Sequence, residues 1–337
     1  MRKVAIIVLL TLLSAGAMYS MNHCMNKKRV TANITIEVAF NNWFNIQNKM
    51  YASPAEKAYR MTVFAANFQK VAHDNQVYSH TSSLNKFADL TEEEFIIKYM
   101  GFKYDANAAK NFKTIGSANQ DGSVDWREKG AVNAIKDQGQ CGACWAFVAS
   151  STLESSWFLA HGELLDLSEQ QLVDCAGSTG NQGCNGGLMD DAFQYIQEFG
   201  GMDQTKDYPY TALDGKCKAS KTGVKANLKG WTDVPYENCD ELIKALNIQP
   251  ISVAIAANAI MFYTGGVFAN PNCGIELNHA VTVVGYGTDE KEGNYYIARN
   301  SWGVSWGEKG YIRMSRDIEK NRGICGICMV ASYPQAA

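Results

Sequence analysis

The apolar positions of this 337-residue chain change their spacing along its length, and each change marks a different kind of element. From Val4 to Leu13 they form a run broken only by Thr11, preceded by Arg2-Lys3 and followed by Ala15-Gly16-Ala17. Ten helical residues reach about 15 Å, roughly half the hydrocarbon core of a bilayer. The run therefore reads as a secretory signal peptide over residues 1–17 and not as a membrane span. From Ile36 to Tyr99 the spacing becomes helical. Phe40, Trp43, Phe44, Ile46 and Gln47 predict one helix, and Pro54 opens a second, where its missing N–H costs least. In the second, Glu56, Arg60, Phe64, Asn67, Val71 and Asn75 recur every three or four residues along one slowly drifting face. Thr91, with Glu94 three residues later, predicts the boxed start of a third, short helix.

Between Gly101 and Gly122 the apolar anchors thin out into Gly, Ala, Asn, Ser and Lys, the composition of an exposed connection open to proteolysis. Beyond it a helix is predicted from Cys144 to about Ala160, closed by Gly162. Ser168, as N-cap with Gln171 at the third position, predicts another. A third runs from Leu188 to Phe199 and ends at Gly200-Gly201. After Pro250 the period falls to two: Ile251, Val253 and Ile255 alternate, and 279–286 and 294–300 read as strands of a hairpin. Helices first and strands later predict an α+β arrangement with two lobes.

Composition narrows the classes. Apolar residues make up 46% of the chain and the formal net charge is −3, which suits a globular protein with real cores. Lys27-Lys28-Arg29 is the densest basic cluster, too short to track phosphates, so no nucleic-acid partner is expected. Nine of the ten cysteines follow residue 140, which assigns a disulfide framework to the C-terminal two thirds and an oxidising compartment to the protein. Nine is odd, so at least one thiol there has no partner.

The stretch Gln138-Gly139-Gln140-Cys141-Gly142-Ala143-Cys144-Trp145 is where that thiol can matter. Cys144 opens a predicted helix, and the unpaired N–H groups of a helix start favour a thiolate nucleophile. The same Cys-x-x-Cys pattern also suits a redox dithiol, two disulfide ends, or, with Cys325-x-x-Cys328, a zinc site. Only His161 and His279 lie downstream of the connection. His161 stands seventeen residues along the helix, about 25 Å from Cys144. An imidazole partner within this part of the chain is therefore His279, which opens the apolar strand Ala280-Val281-Thr282-Val283-Val284. A lone histidine at a strand start is otherwise a surface or capping residue.

Taken together, these residues resemble a known family. Cys-Gly-Ala-Cys-Trp at 141–145, Asn278-His279-Ala280-Val281 and Asn300-Ser301-Trp302-Gly303 match the papain-like cysteine proteases in type and order. His279 follows Cys144 by 135 residues and Asn300 follows it by 156, close to the family's spacing. The face from Glu56 to Asn75 resembles the family's prosegment pattern, with Val71 in place of Ile. Ser83, Asn85, Phe87 and Asp89 resemble a second prosegment motif, with Ser in place of Gly. The likeness covers about residues 36–337. Ser123-Val124-Asp125-Trp126-Arg127-Glu128-Lys129-Gly130 and Cys184-Asn185-Gly186-Gly187-Leu188-Met189 resemble the cathepsin L-like subgroup.

The resemblance implies a papain-like two-lobe fold, a helical left lobe and an antiparallel β-barrel right lobe, preceded by a helical inhibitory prosegment. The domains would be a signal peptide (1–17), an inhibitory propeptide (18–119) and a mature peptidase (120–337). It implies a protease made as an inactive precursor, and an endopeptidase, since the 33-residue interval from Cys184 to Cys217 leaves no room for an occluding loop. Cys144 and His279 would rest as a thiolate–imidazolium pair, with Asn300 orienting the imidazole, Trp302 shielding that bond and Gln138 helping to hold the oxyanion. Gly186 and Gly187 would pair with substrate backbone. Leu188, Met189, Ala254, Leu277, Ala280 and Val330 would line an apolar second subsite.

By the same likeness the disulfides are Cys141–Cys184, Cys175–Cys217 and Cys273–Cys325. Cys239 and Cys328 depart from the subgroup, and parity suggests a bridge between them; Cys24 has no assigned role. Glu56, Arg60 and Asp89 are candidates for ion pairs that loosen the prosegment in acid, and Asn33-Ile34-Thr35 is a glycosylation sequon. The implied partners are protein and peptide substrates, the chain's own propeptide and cystatin-type inhibitors, with a monomeric enzyme and neither cofactor nor metal. The implied location is the secretory pathway, ending in a lysosome-like or vacuolar compartment or outside the cell. A catalytically silent relative would have lost the Cys or His, and neither is lost. Acyl transfer to amines would use the same residues. A zinc protein fits Trp145 and a single reachable histidine less well.

Overall fold

The structure, a computed structural model, describes residues 36–103, 112–114 and 122–337. The signal segment, Cys24, the sequon at Asn33 and the start near Gln120 lie outside the described residues. The chain packs into two compact units that divide between Lys70 and Val71.

In the first unit, helix α1 (36–46) packs on helix α2 (Pro54–Val77) through aromatic rings. Phe40 and Trp43 meet Phe64 at centroid distances of 5.4 and 5.2 Å, and all three are buried. The stripe is narrower than its sequence suggests. Ile46 is 79% exposed and Gln47 lies past the last helical turn. Glu56 and Arg60 stand 3.9 Å apart on one face of α2.

The second unit begins with the last two turns of α2. Asn75 exchanges two hydrogen bonds with the backbone of Ser82 (2.7 and 2.9 Å), which turns the chain into β1 (Thr81–Ser82). That strand pairs antiparallel with β5 (Tyr263–Gly265). Asn85 then donates to the Met261 carbonyl (2.7 Å) and leads into helix α3 (Glu92–Tyr99). Both bonds of the expected capping box are made: Glu94 N–H to Thr91 Oγ1 (3.2 Å) and Thr91 N–H to Glu94 Oε2 (3.0 Å).

Three helices follow: α4 (Cys144–His161), α5 (Glu169–Cys175) and α6 (Met189–Phe199). Gly162 and Gly200 close α4 and α6 in the left-handed conformation (φ 75° and 99°) that glycine adopts without a steric penalty. Ser168 caps α5 by accepting from Gln171 N–H (3.0 Å). The other half of that box is not made, because the Gln171 side chain is committed to Tyr195, Gly201 and Asp203. Helix α4 is buried over most of its length yet rich in Ser and Thr. Its hydroxyls are satisfied internally and across to the sheet, as in the 2.5 Å contact of Ser151 Oγ with Thr282 Oγ1.

The sheet has eight strands. β3 (Leu228–Asp233), β10 (Ala331–Ala336), β4 (Ile251–Ile255), β7 (His279–Asp289), β8 (Gly293–Arg299), β9 (Tyr311–Ser315) and β6 (Val267–Phe268) lie side by side in that order, and β2 (Val124–Asp125) adds to β7. Every pairing is antiparallel except β6 with β9. The alternation read at 251–255 does not separate an inner from an outer face. All five residues of β4 are buried, because neighbouring strands and helices cover both sides. Helix α7 (Cys239–Leu246), capped by Asn238, was not foreseen.

Four disulfides tie the unit together: Cys141–Cys184, Cys175–Cys217, Cys239–Cys328 and Cys273–Cys325. No helix among the described residues is long and apolar enough to cross a membrane. The Cys239–Cys328 bond closes a separation of 89 residues and joins α7 to the turn before β10. Replacing both cysteines by serine should lower unfolding stability by about 2–4 kcal/mol, read as a lower urea midpoint. An unchanged midpoint would show that the bond adds nothing to the fold.

Candidate active site

The loop 136–143 delivers Cys144 to the first position of α4. Its cap residue Ala143 offers no side-chain acceptor, so first-turn N–H groups remain available to the sulfur. The backbone amides of Ala280, Gly101, Trp145 and Cys144 lie where they favour its thiolate. Cys141 is tied to Cys184, and Cys144 is the free cysteine among the described residues.

His279 opens β7 opposite Ile255 of β4, and its ring is fully buried. Nε2 lies 2.8 Å from Asn300 Oδ1, and the ring stacks on Trp302 at 4.6 Å with an interplanar angle of 28°. Asn300 is itself fixed by its N–H to Gly310 O (3.0 Å) and by accepting from Ser301 N–H (2.8 Å). His279 Nδ1 has no hydrogen-bond partner among the described residues. His161, by contrast, lies at the far end of α4 with Nε2 3.0 Å from Ala337 O.

Burial dominates the electrostatics. It pushes the Cys144 thiol up to about 11 against the pull of four N–H groups, and pushes the His279 imidazole down to about 4 against the Asn300 bond. Burial therefore opposes charge on both groups in the covered site, against the ion pair that the family resemblance implies for an open one. The physical reason is the chain lying over them: with Gly101 seated on the sulfur, neither charge can be solvated.

That covering chain makes backbone contacts throughout. Gly187 N–H donates to Gly101 O (2.8 Å), Lys103 N–H donates to Gly187 O (3.1 Å), and Phe102 N–H donates to Asn278 O (3.1 Å). The bridge of Phe102 with Gly187 is parallel. Upstream, Phe87 and Phe95 stand edge-on to Trp302 at 5.7 and 5.2 Å. Gln138 Nε2 donates to Tyr99 O (3.0 Å) and Cys141 O (2.8 Å), while its Oε1 accepts from Ser301 Oγ (2.6 Å). A carbonyl of the covering chain thus occupies the amide donor expected to face an oxyanion.

The other expected site residues gather beside Cys144. Met189, Ala254 and Ala280 belong to the same buried cluster as Cys144, with Leu188, Leu277 and Val330 half-buried against it. Ala254 pairs with Ala280 across the β4–β7 ladder and donates its N–H to Val330 O (3.1 Å). Gly186 has φ 110°, and a Cβ at Gly187 would strike Trp145 and the Asn181 side chain. Asn181, whose Oδ1 accepts from Leu188 N–H (2.7 Å), was not singled out from sequence, nor were Ser301, Tyr99 and Gly101. Gly101 opened a stretch read as a connection, and nothing in its local composition signals a close contact.

Known proteins agree on what this arrangement is. Residues 121–335 match the family described as papain family cysteine protease. The chain belongs to that family. Residues 40–95 match the cathepsin propeptide inhibitor domain, which acts as an intramolecular inhibitor, so the papain-family enzyme is made as an inactive precursor. It is 41% identical over 314 residues to a cathepsin L-like peptidase of Aedes aegypti, covering 87% of this chain and 91% of that one. It is 50% identical over 257 residues to the oryzain beta chain of Oryza sativa, covering 74% of this chain and 55% of that longer relative. Digestive procathepsin L 3 of Tenebrio molitor larval midgut superposes with a TM-score of 0.80 at 37% identity, covering 89% of this chain and 98% of that one. The chain is a cathepsin L-like cysteine protease precursor, and its disulfides suit the oxidising secretory pathway.

The fit of Gly101 is tight enough to test. A Cβ there would overlap the Gly142 carbonyl, and Gly142 has no slack because Cys184 O and Met100 O flank it at 2.6 and 2.9 Å from its own Cβ position. Gly101→Ala should weaken the seating of the covering segment by about 1–3 kcal/mol, as overpacking does. The precursor should then hydrolyse a peptide reporter at neutral pH, where the unaltered precursor is silent. Equal silence in both would show that the contact at Gly101 does not hold the inhibitor in place.

Proposed function

We propose that this cathepsin L-like protease hydrolyses internal peptide bonds through a thioester on Cys144, with His279 as its proton partner. The carrying observation is the buried free thiol at a helix start, whose thiolate is favoured by the backbone amide that follows an Asn300-held imidazole. Once the propeptide leaves, water and the first-turn N–H groups stabilise the thiolate, and His279 takes the proton. Sulfur attacks the peptide carbonyl, and the oxyanion is held by Cys144 N–H and by Gln138 Nε2, freed from Tyr99. His279 protonates the departing amine, then takes a proton from the water that cleaves the thioester and restores the thiol. Asn300 keeps the imidazole facing the sulfur, and Trp302 keeps water from that bond.

Substrate backbone would pair with Gly186 and Gly187. The side chain two residues before the cut would enter the apolar wall of Leu188, Met189, Ala254, Leu277, Ala280 and Val330. A preference for Leu, Phe or Val follows, since an Arg there would bury its charge against apolar groups. The segments are a signal peptide at 1–17, a propeptide at 18–119 and a mature enzyme at 120–337. The enzyme would work as a monomer in a lysosome-like or vacuolar compartment or outside the cell, open to cystatin-type inhibitors.

Acidifying the purified precursor beside a Cys144→Ala copy tests this, with mass and cleavage of a Phe-Arg reporter followed together. Shortening to a start near Gln120 with activity in the unaltered chain alone is the expected result. Shortening without activity would point to a silent relative, and a substrate preference for Arg two residues before the cut would overturn the pocket.

A further inference from the structure

The propeptide contacts the site on two sides of Cys144. Residues 101–103 pair with Gly187 and Asn278 beside the apolar wall, while residues 86–99 lie on Gln138 and Trp302. If the apolar wall receives the residues before the cut, a substrate crossing Cys144 must carry its leaving half over the second side. On that side stands one charged contact that the reading above does not use. Lys86 Nζ lies 2.6 Å from Asp137 Oδ2, with the ammonium also over the Phe87 ring at 5.3 Å.

Asp137 is built into the site's rim. It precedes Gln138, forms an antiparallel bridge with Trp302, and its Oδ1 accepts from Gly139 N–H (3.0 Å). The turn at Gly303 (φ 78°) leaves space for no side chain, since a Cβ there would come within 2.8 Å of Oδ2. The carboxylate is thus held in place with one oxygen turned to Lys86, and its side chain is 46% exposed. The neighbouring Lys136 does not neutralise it, because that ammonium is committed to Glu154, Asp166 and Glu169. When the propeptide departs, Lys86 departs with it and a positioned anion remains beside Trp302.

We propose that Asp137 selects a cationic side chain on the leaving-group side of the substrate, in the place that Lys86 holds in the precursor. This rests on the proposed function above. An exposed pair of this kind carries a modest effect, a preference of about 2- to 5-fold that shrinks with added salt.

The test uses processed enzyme and internally quenched peptides with one common acyl half, Leu second before the cut. They carry Lys, Gln or Glu at the first, second or third position after it. The unaltered enzyme should show a higher kcat/KM for Lys than for Gln, and a lower one for Glu, at one of these positions. Asp137→Asn, which keeps the acceptor for Gly139 N–H, should bring the Lys-to-Gln ratio to about one, and Asp137→Lys should favour Glu. A ratio of one in the unaltered enzyme at all three positions, or a Lys preference that survives in both variants, would overturn the proposal. Failure of the unaltered enzyme to cleave any of the peptides would instead overturn the proposed function on which it rests.

Discussion

The backbone pairing of residues 101–103 with Gly187 and Asn278 is the contact on which the character of the whole site depends. Because it is made by N–H and C=O groups, it presents the site with the same hydrogen-bonding surface that an extended peptide would. Gly101 N–H at the sulfur and Tyr99 O at Gln138 Nε2 show how far the imitation goes. The bridge to Gly187 is parallel, and only a glycine can approach Gly142 as closely as Gly101 does. On the proposed reading of the site, the covering segment fills the places of a substrate.

Beneath that cover, rigidity comes from α4. The helix carries Cys144 at its first turn and runs on through a core in which its own hydroxyls meet backbone carbonyls and the sheet. Lys136 adds a second tie. Burial disfavours its charge, but Glu154 and Glu169 hold the ammonium well above the ordinary lysine range and lock the loop before Cys144 to α4 and α5. The disulfide to Cys184 fixes the same loop against the wall that bears Gly186 and Gly187. The His279–Asn300–Trp302 group is held by a different device, the β7–β8 ladder and the turn that follows it.

Much of this was legible in the sequence where a local rule applied. The box at Thr91 and Glu94, the closing glycines of α4 and α6, and the hairpin that begins at His279 each follow from residue chemistry within a few positions. Less legible was whatever depends on distant partners. Half of the Ser168 box is missing because Gln171 is needed by Asp203 and Gly201. β10 carries Ser332, Pro334 and Gln335, a poor strand signature, yet pairs on both sides because β3 and β4 flank it. Gly101, Ser301 and the Lys86–Asp137 pair involve contacts far apart in sequence. The ionisation of Cys144 and His279 belongs to the same class. The family resemblance implies an ion pair, but solvation is a sum over everything packed around them, and here that sum includes the covering segment.

Burial under this cover opposes charge on both groups until the cover is removed. The direct measurement is the ring protonation of His279, read by nitrogen chemical shifts at pH 6.5 in the intact precursor and again after processing. With its pKa pushed down to about 4, the imidazole must be neutral in the precursor at that pH. It should carry its second proton once Cys144 is uncovered. An imidazolium at His279 already present in the precursor would contradict the account.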